Sequence, residues 1–234
     1  MTITVTAPVT NLLLDALQAK DREQLLKHCE HIELNIGEVI YRGGDAIPHV
    51  YFPTGGFISL VASIDNTNLE VSLVGNEGVA GITLLLGVDT APFTALVQGK
   101  GTAFRITASS FLRIVEESPE LHRVLKRYLY VRMSQLAQTA ACTRFHLLEG
   151  RLARWLLMTQ DRAHSDKFHI THVFLAYMLG VRRVGVTKAA NLLQKRNLIS
   201  YKRGDITILD RLGLEKFSCG CYKADKEIYK RILG

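Results

Sequence analysis

The sequence lacks the features that membrane and secreted proteins usually need. Its 234 residues include four cysteines, too few and too scattered for a disulfide framework in a chain of this length. Its strongly apolar stretches, such as Ile82–Val88, are far shorter than the roughly 18 residues of a membrane-spanning helix. Met1–Thr10 has neither the basic start nor the apolar segment of a secretory signal. We therefore expect a cytoplasmic protein with reduced thiols and no membrane contact.

Familiar enzyme motifs are also missing from the sequence. It contains no Gly-x-Ser-x-Gly nucleophile elbow, no Gly-x-x-x-x-Gly-Lys phosphate loop and no His-Glu-x-x-His zinc motif. We expect no enzymatic activity and assign no catalytic residue. With 47% apolar and 22% charged residues, the composition is that of a folded globular protein, and the length favours two compact units.

The net charge of +7 is unevenly distributed along the chain. Residues 1–144 contain 12 Lys and Arg against 14 Asp and Glu, a net charge of −2, whereas residues 145–234 contain 17 against 8, a net charge of +9. A strongly basic half favours binding to a polyanion, with nucleic acid ahead of an anionic membrane. Charge alone leaves open a surface that only keeps the protein in solution.

Alternating apolar residues predict a β domain in the first half of the chain. One or two short helices are expected between residues 11 and 29. The predicted strands that follow include residues 32–36, 58–64, 69–73, 94–98 and 102–106. Asp65–Asn68 has the composition of a hairpin loop, and Gly99-Lys100-Gly101 separates the last two strands. Many short strands broken by Gly and Pro indicate an antiparallel jelly roll, which we place at residues 11–117.

A long helix is predicted next, at residues 118–144. In Ser118-Pro119-Glu120 the serine suits the N-cap, the proline the first helical position and the glutamate the positive end of the helix dipole. A continuous helix from Pro119 to Ala141 is about 35 Å long at 1.5 Å per residue. Its apolar residues are Leu121, Val124, Leu125, Tyr128, Leu129, Val131, Leu136, Ala137 and Ala140. This set is wider than one buried face requires, which favours pairing with the same helix of a second subunit; the alternative is a helix wedged between its own two domains.

The basic part, residues 145–234, has the pattern of a winged helix-turn-helix. An amphipathic helix is expected at Phe145–Ala163 and a loop at Ala163–Lys167. Val173–Leu179 and Arg182–Gln194 then read as two helices joined by the tight turn Leu179-Gly180-Val181. The complete prediction is an α+β fold in which an N-terminal antiparallel jelly roll, a long dimerisation helix and a C-terminal winged helix-turn-helix follow one another.

The second helix of this pair has one apolar and one polar face. Its apolar residues, Val186, Ala189, Ala190 and Leu193, recur at steps of three and four and are expected to pack on the first helix. Arg182, Arg183, Thr187, Lys188 and Asn191 lie mainly on the opposite, outward side. Side chains of these types read base edges or contact phosphates. A two-stranded wing around Tyr201–Asp205 has Lys202 and Arg203 at its tip, placed for phosphates. For any one of these residues, a solvated helix face is the alternative.

The run Ile170-Thr171, Gly180 and Asn197-Leu198-Ile199-Ser200 resembles in spacing the second domain of the CRP/FNR superfamily of bacterial transcription factors. The order of jelly roll, long helix and winged helix is similar to this family over nearly the whole chain. The resemblance implies a homodimeric, effector-responsive regulator that binds double-stranded DNA and works with RNA polymerase. Its two recognition helices would enter successive major grooves, about 34 Å apart.

The resemblance also implies roles for single residues. Arg183 corresponds to the arginine that contacts guanine through two hydrogen bonds, with Arg182 and Lys188 beside it, and Thr171 and Lys202 are phosphate contacts. In the family's familiar recognition helix a glutamate follows that arginine, whereas Val184 follows it here. Glutamate accepts a hydrogen bond from cytosine, and valine does not, so we do not expect the family's usual operator.

The sensor domain departs further from the family pattern. Members that bind cyclic nucleotides hold the ribose with Gly-Glu and the phosphate with Arg-Ser or Arg-Thr. The nearest matches here, and the effector-pocket candidates, are Gly81-Ile82 and Phe93-Thr94. Without the glutamate and the arginine, a buried phosphate is poorly compensated. We therefore expect neither cyclic AMP nor cyclic GMP as effector and predict no cofactor.

The cysteines leave one alternative function open. The family's iron–sulfur sensors need a cysteine cluster near the N-terminus, where this chain has Cys29 alone. Cys219-Gly220-Cys221 is a thiol pair or half of a soft-metal site, but it has no histidine near it in sequence, and His28 and His31 favour a surface role. We predict no metal site. The alternatives to a DNA-binding regulator are a ligand-binding or interaction module with a basic tail, or a thiol or metal redox sensor.

Overall fold

The structure, a computed structural model, describes residues 10–65 and 67–234. Residues 1–9, on which the expectation about a secretory signal depends, lie outside the described residues. Asn66 of the predicted Asp65–Asn68 loop lies outside them too. The described chain forms an N-terminal β domain, a long helix and a C-terminal domain of helices with a small sheet. The predicted α+β class is confirmed.

Two short helices precede the β domain, as predicted: α1 (Leu12–Asp15) and α2 (Ala19–Leu26). Asn11 caps α1, because its side-chain oxygen accepts hydrogen bonds from the backbone N–H groups of Leu13 and Leu14. Its amide nitrogen donates to the carbonyl oxygens of Pro53 (2.9 Å) and Gly78 (2.8 Å). One buried side chain therefore both starts the helix and fastens it to the β domain.

The β domain consists of two antiparallel sheets. Its strands are β1 (Glu30–Leu34), β2 (Val39–Tyr41), β3 (His49–Pro53), β4 (Phe57–Ile64), β5 (Thr67–Val74), β6 (Thr94–Gly99) and β7 (Gly101–Thr107). The strand orders are β1-β7-β3 and β2-β6-β4-β5. The predicted hairpin is present as β4 and β5, which pair from Ile58–Val74 to Ile64–Thr67. The apolar alternation did not indicate β2 and β3.

The strands on either side of Gly99-Lys100-Gly101 do not pair with each other. β6 belongs to the four-stranded sheet and β7 to the three-stranded sheet, so the chain crosses between sheets at these residues. A Cβ atom on Gly101 would lie 2.1 Å from the backbone of Gly55. Glycine at position 101 thus permits the close approach of this crossover to the backbone of Gly55, which a simple hairpin between β6 and β7 would not require.

Two further helices lead out of the β domain, α3 (Ala108–Glu117) and α4 (Pro119–Phe145). The predicted cap is present, because the Ser118 hydroxyl accepts a hydrogen bond from the N–H of Leu121 at 3.1 Å. α4 has 27 residues, about 40 Å at 1.5 Å per residue, and ends one residue beyond the predicted range 118–144 and four beyond Ala141. Its first half packs into the core of the β domain through Leu121, Val124, Leu125 and Tyr128.

The C-terminal domain contains the remaining elements: α5 (Leu148–Ala163), β8 (Lys167–His169), α6 (His172–Leu179), α7 (Arg183–Lys195), β9 (Ile199–Lys202), β10 (Asp205–Ile208), α8 (Arg211–Phe217) and α9 (Cys221–Leu233). Phe145 ends α4 rather than starting α5, because His146 and Leu147 have extended backbone. Lys167 lies in β8 rather than in a loop. The predicted two-stranded wing is one part of a three-stranded sheet of order β8-β10-β9.

The two domains contact each other directly. α6 packs on β5, and Arg162 of α5 forms an ion pair with Glu77, which follows β5 (Nη2 to Oε1, 2.7 Å). Tyr229 of α9 donates to the carbonyl oxygen of Glu77 (2.8 Å). Among residues 10–65 and 67–234, no helix is both long and apolar enough to cross a membrane.

Candidate nucleic-acid interface

The helix-turn-helix is shaped by a cap, a turn and a shared core. The Thr171 hydroxyl accepts a hydrogen bond from the N–H of Phe174 at 3.2 Å and so begins α6. Gly180 ends α6 with φ of +62°, a left-handed conformation that favours glycine. Arg151 of α5 donates to the carbonyl oxygen of Leu179 at 2.7 Å and satisfies one of the last acceptors of α6.

α7 buries one face and exposes the other, as its sequence predicted. Its four inward residues are each at most 1% exposed: Val186, Ala189, Ala190 and Leu193. Arg182, Arg183, Lys188 and Asn191 are exposed. Val184, directly after Arg183, is 66% exposed, so its methyl groups are available to a partner.

Thr187 lies in a different environment from the other predicted contacts. It is half-buried, its hydroxyl donates to the carbonyl oxygen of Arg183 (3.1 Å), and its oxygen lies 3.0 Å from Nδ1 of His172. The His172 ring stacks on Tyr201, with 4.3 Å between the ring centroids. Burial and, after it, the charge of Arg183 lower the pKa of His172. Thr187 and His172 thus connect α7 with α6 and the wing.

The wing presents its two cations at the hairpin between β9 and β10. Arg203 and Gly204 have positive φ values of 54° and 94°, the geometry of a tight two-residue hairpin turn. Lys202 and Arg203 are exposed. Beside them, Nδ1 of His169 lies 2.7 Å from a carboxylate oxygen of Asp205.

The electrostatic character of this surface follows directly from the sequence that forms it. Residues 168–204, which span α6, α7 and β9, contain seven Lys and Arg and no Asp or Glu. The positive side chains of α7 therefore have no acidic neighbour within this segment, whereas Lys202 of the wing pairs across the hairpin with Asp205. Such a surface attracts the phosphates of a duplex.

The predicted effector residues lie at two places in the β domain, at the start of a short 3₁₀ helix and at the start of β6. Gly81 precedes the short 3₁₀ helix Ile82–Leu86, and Ile82 is 8% exposed. Phe93 is half-buried, and the hydroxyl of Thr94 accepts a hydrogen bond from the N–H of Gly43 at 3.1 Å. None of these four side chains provides a positive charge for a phosphate.

The structure brings together a group of side chains that sequence reasoning missed. Cys142 of α4, His146 at its end, Cys219 and Cys221 offer ligand atoms that all lie within 4.8 Å of one another. The Sγ atoms of Cys142 and Cys219 are 3.5 Å apart, and Sγ of Cys221 is 3.4 Å from Nδ1 of His146. Cys219 and Cys221 have no histidine near them in sequence, but the fold brings His146, directly after α4, into their group. The sequence offers only the short spacing Cys142-x-x-x-His146 as a signal, and it falls across the boundary between two predicted helices.

The surroundings shift the pKa values of the three thiols of this group in different directions. A hydrogen bond from the Cys219 thiol lowers the pKa of Cys142 to about 4, with further contributions from His146, Arg154 and Cys221. The pKa of Cys219 is raised, mainly because of the same hydrogen bond with Cys142. Burial raises the pKa of Cys221. His28 and His31 form no such group: His31 lies in β1, and the His28 ring is 3.5 Å from the guanidinium of Arg113.

Two protein-family models match the chain, one in each domain. The cyclic nucleotide-binding domain matches residues 31–118, and the Crp-like helix-turn-helix domain matches residues 150–217. This pair of domains places the chain in the CRP/FNR superfamily of transcription regulators. A comparison with curated proteins finds no significant match.

Solved structures of regulators share the fold over most of the chain. A regulator of the CRP/FNR family from Eubacterium rectale is 18% identical, with a TM-score of 0.69 over 88% of this chain and 96% of its own. The c-di-GMP-responsive global regulator CLP of Xanthomonas campestris is 16% identical, with a TM-score of 0.68 over 82% and 100%. FixK2 of Bradyrhizobium japonicum is 14% identical, with a TM-score of 0.68 over 82% and 98%. At these identities the likeness concerns the fold.

Proposed function

We propose that the chain acts as a homodimer that binds specific sites on duplex DNA through α7 and the wing. The observation that supports this most is the division of α7 into a buried apolar face and an exposed face with Arg182, Arg183, Lys188 and Asn191. A helix with these side chains fits the major groove, where arginine and asparagine distinguish base pairs by hydrogen bonds.

Within this proposal each exposed residue has a defined task. Arg183 contacts guanine O6 and N7, with Arg182 and Lys188 beside it, and Asn191 is an adenine contact. Thr171, Lys202 and Arg203 contact phosphates and set the position of the helix. The Thr171 oxygen already accepts a bond from Phe174, so its own proton remains available to a phosphate. Thr187 helps to position Arg183, because its hydroxyl donates a hydrogen bond to the Arg183 carbonyl oxygen.

The dimer is proposed on an exposed apolar stripe of α4. Tyr130 is 52% and Met133 is 64% exposed, and with the exposed Ala137 and Ala140 they follow one another at steps of three and four. This is the spacing of a coiled-coil seam. The other apolar face of α4 is buried in the β domain of the same chain, so the stripe is left for the equivalent helix of a second copy.

The β domain is proposed to respond to an effector other than cyclic AMP or cyclic GMP. Ile82 stands where the family's nucleotide-binding members have a glutamate and Phe93 where they have an arginine, and burying a phosphate there is costly. RNA polymerase is the further partner expected of a transcription regulator of this class.

A selection of duplexes from a random pool, followed by a gel shift at fixed salt, tests the proposal. We expect a two-fold symmetric site. Arg183→Ala should weaken binding to it by about 1–3 kcal/mol and relax one base position, whereas Lys202→Ala should weaken all sequences alike and reduce the salt dependence by about one counterion. Lys27→Ala, the same loss of one exposed charge in the β domain, is the matched control.

The proposal fails if no duplex is enriched over non-specific competitor, or if Arg183→Ala and Lys27→Ala behave alike. Enrichment of a protein partner in place of DNA would support the alternative, an interaction module with a basic tail.

A further inference from the structure

We propose that Cys142, His146, Cys219 and Cys221 bind one divalent ion of the zinc class in tetrahedral geometry. These four side chains come from two places in the chain, the end of α4 and the segment that begins α9. The proposal concerns the metal alone and does not depend on DNA binding.

The distances between the ligand atoms fit a single tetrahedral ion. With metal–sulfur bonds of about 2.3 Å and metal–nitrogen bonds of about 2.0 Å, tetrahedral angles require about 3.8 Å between two sulfurs and about 3.5 Å between sulfur and nitrogen. Two of the separations, 3.5 Å between Sγ of Cys142 and Sγ of Cys219 and 3.4 Å between Sγ of Cys221 and Nδ1 of His146, lie close to these values. All remaining separations are within 4.8 Å, so small side-chain rotations complete the site.

The donor set selects the kind of ion. Three thiolates and one imidazole are soft to borderline ligands, which exclude magnesium and calcium and suit zinc. A two-iron cluster would divide its ligands between two metals and spread them more widely than this single compact group. Cys142 and Cys221 are buried and His146 is exposed, so the site is closed on one side and open on the other, where an ion can enter.

Neighbouring polar groups already support the thiolates. Gln138, one helical turn before Cys142, donates its amide to Sγ of Cys221 at 2.9 Å. Arg154 lines the same small cavity as Cys142, its guanidinium donates to the hydroxyl of Thr139 on α4 at 3.2 Å, and Asp225 holds it in place with a 2.6 Å ion pair. A zinc ion with three thiolates has one negative charge in excess, and Arg154 offsets it. Such surrounding groups typically tune metal affinity by 10- to 100-fold.

A bound ion would fix the junction between the two halves of the molecule. Cys142 and His146 end the long helix α4, and His146 and Leu147 are the extended residues from which α5 departs. Cys219 and Cys221 belong to the C-terminal domain, and Cys219 also packs against Gly150 of α5. The ion would therefore link the end of α4 to the domain that contains the helix-turn-helix and hold the direction in which that domain leaves the helix.

Cobalt titration of the reduced full-length chain provides the test, with Co²⁺ as the probe and Zn²⁺ as its competitor. We expect one equivalent of Co²⁺, thiolate-to-cobalt charge-transfer absorption, and intense visible bands typical of tetrahedral coordination. One equivalent of Zn²⁺ should abolish these bands and raise the melting temperature by mass action. The double variant Cys219→Ser with Cys221→Ser should lose the bands.

Two further variants keep the outcome unambiguous. His146→Ala removes an exposed side chain, so the fold should persist while affinity falls at least 10-fold and the visible bands change. Cys29→Ser, which removes the cysteine outside the group, should bind cobalt normally. The proposal is overturned if the reduced chain takes up no Co²⁺, or if the double variant binds it as well as the Cys29→Ser control. A Cys142–Cys219 disulfide whose reduction restores no metal uptake would also overturn it and identify a redox pair.

Discussion

Trp155 of α5 donates its indole N–H to the carboxylate of Glu70 on β5, with 2.7 Å between Nε1 and Oε1. The two residues are 85 positions apart and belong to different domains. Ser59 also donates to this carboxylate, so both oxygens of the buried Glu70 side chain accept hydrogen bonds. Together with the Arg162–Glu77 ion pair, this bond orients the DNA-binding domain on the β domain.

The Glu70 carboxyl should make stability depend on pH. Burial raises its pKa to about 7, although both hydrogen bonds and the nearby arginines oppose the shift. The folded chain then binds this proton more tightly than the unfolded chain. The contribution of Glu70 to the free energy of unfolding should therefore be greatest below about pH 4.5. It should fall as the pH rises towards 7 and change no further above that.

Glu70→Gln should remove this slope and keep an acceptor for Trp155. We expect the variant to be more stable than the natural chain at about pH 8, by up to about 3 kcal/mol, and similar to it near pH 4.5. Urea unfolding at several pH values measures this, with the exposed Glu116→Gln as control. Equal pH profiles for the natural chain and the Glu70→Gln variant would show that Glu70 ionises normally.

The Arg162–Glu77 ion pair should couple the domains energetically. Arg162→Met leaves Glu77 with its side chain 19% exposed and without its cation, which should cost about 3 kcal/mol. The double variant with Glu77→Gln should recover part of this loss, because no uncompensated charge remains. A double-mutant cycle from chemical unfolding gives the coupling energy, and strict additivity of the two changes would argue against the pair.

The α4 stripe can be tested by placing a charge on it. Met133→Glu should convert the proposed dimer to a monomer at micromolar concentration, since two carboxylates would face each other across an apolar seam. Arg127→Glu, an exposed position of α4 off the stripe, is the control and should leave the dimer intact. Sedimentation velocity distinguishes the species; a dimeric Met133→Glu variant would place the interface elsewhere.

Val184 should determine part of the base preference. Val184→Glu places an acceptor beside Arg183, so the selected site should gain a preference for cytosine at one position, worth about 1–3 kcal/mol. Val184→Thr, which keeps the size and the methyl group, should shift the preference less. Binding measured against a panel of single-base variants of the site gives the answer, and an unchanged panel would place Val184 away from the bases.

Local patterns accounted for the elements whose residues interact within a few positions. The cap at Ser118, the β4–β5 hairpin and the two faces of α7 each depend on spacings of three, four or two residues, which are visible in one dimension. Boundaries are predicted less accurately: α4 extends to Phe145, and Lys167, predicted in a loop, begins β8, because a strand of three residues is too short to show a period.

The sequence by itself determined which side chains of α7 face outward, because helical periodicity assigns every residue to a face. It also determined the basic character of that surface and the divergence of the effector residues. Only the tertiary structure decided that β6 and β7 lie in different sheets, that Glu70 meets Trp155, and that Cys142 and His146 join Cys219 and Cys221. These contacts connect positions dozens of residues apart, and no local spacing specifies which distant side chains the packed core brings together.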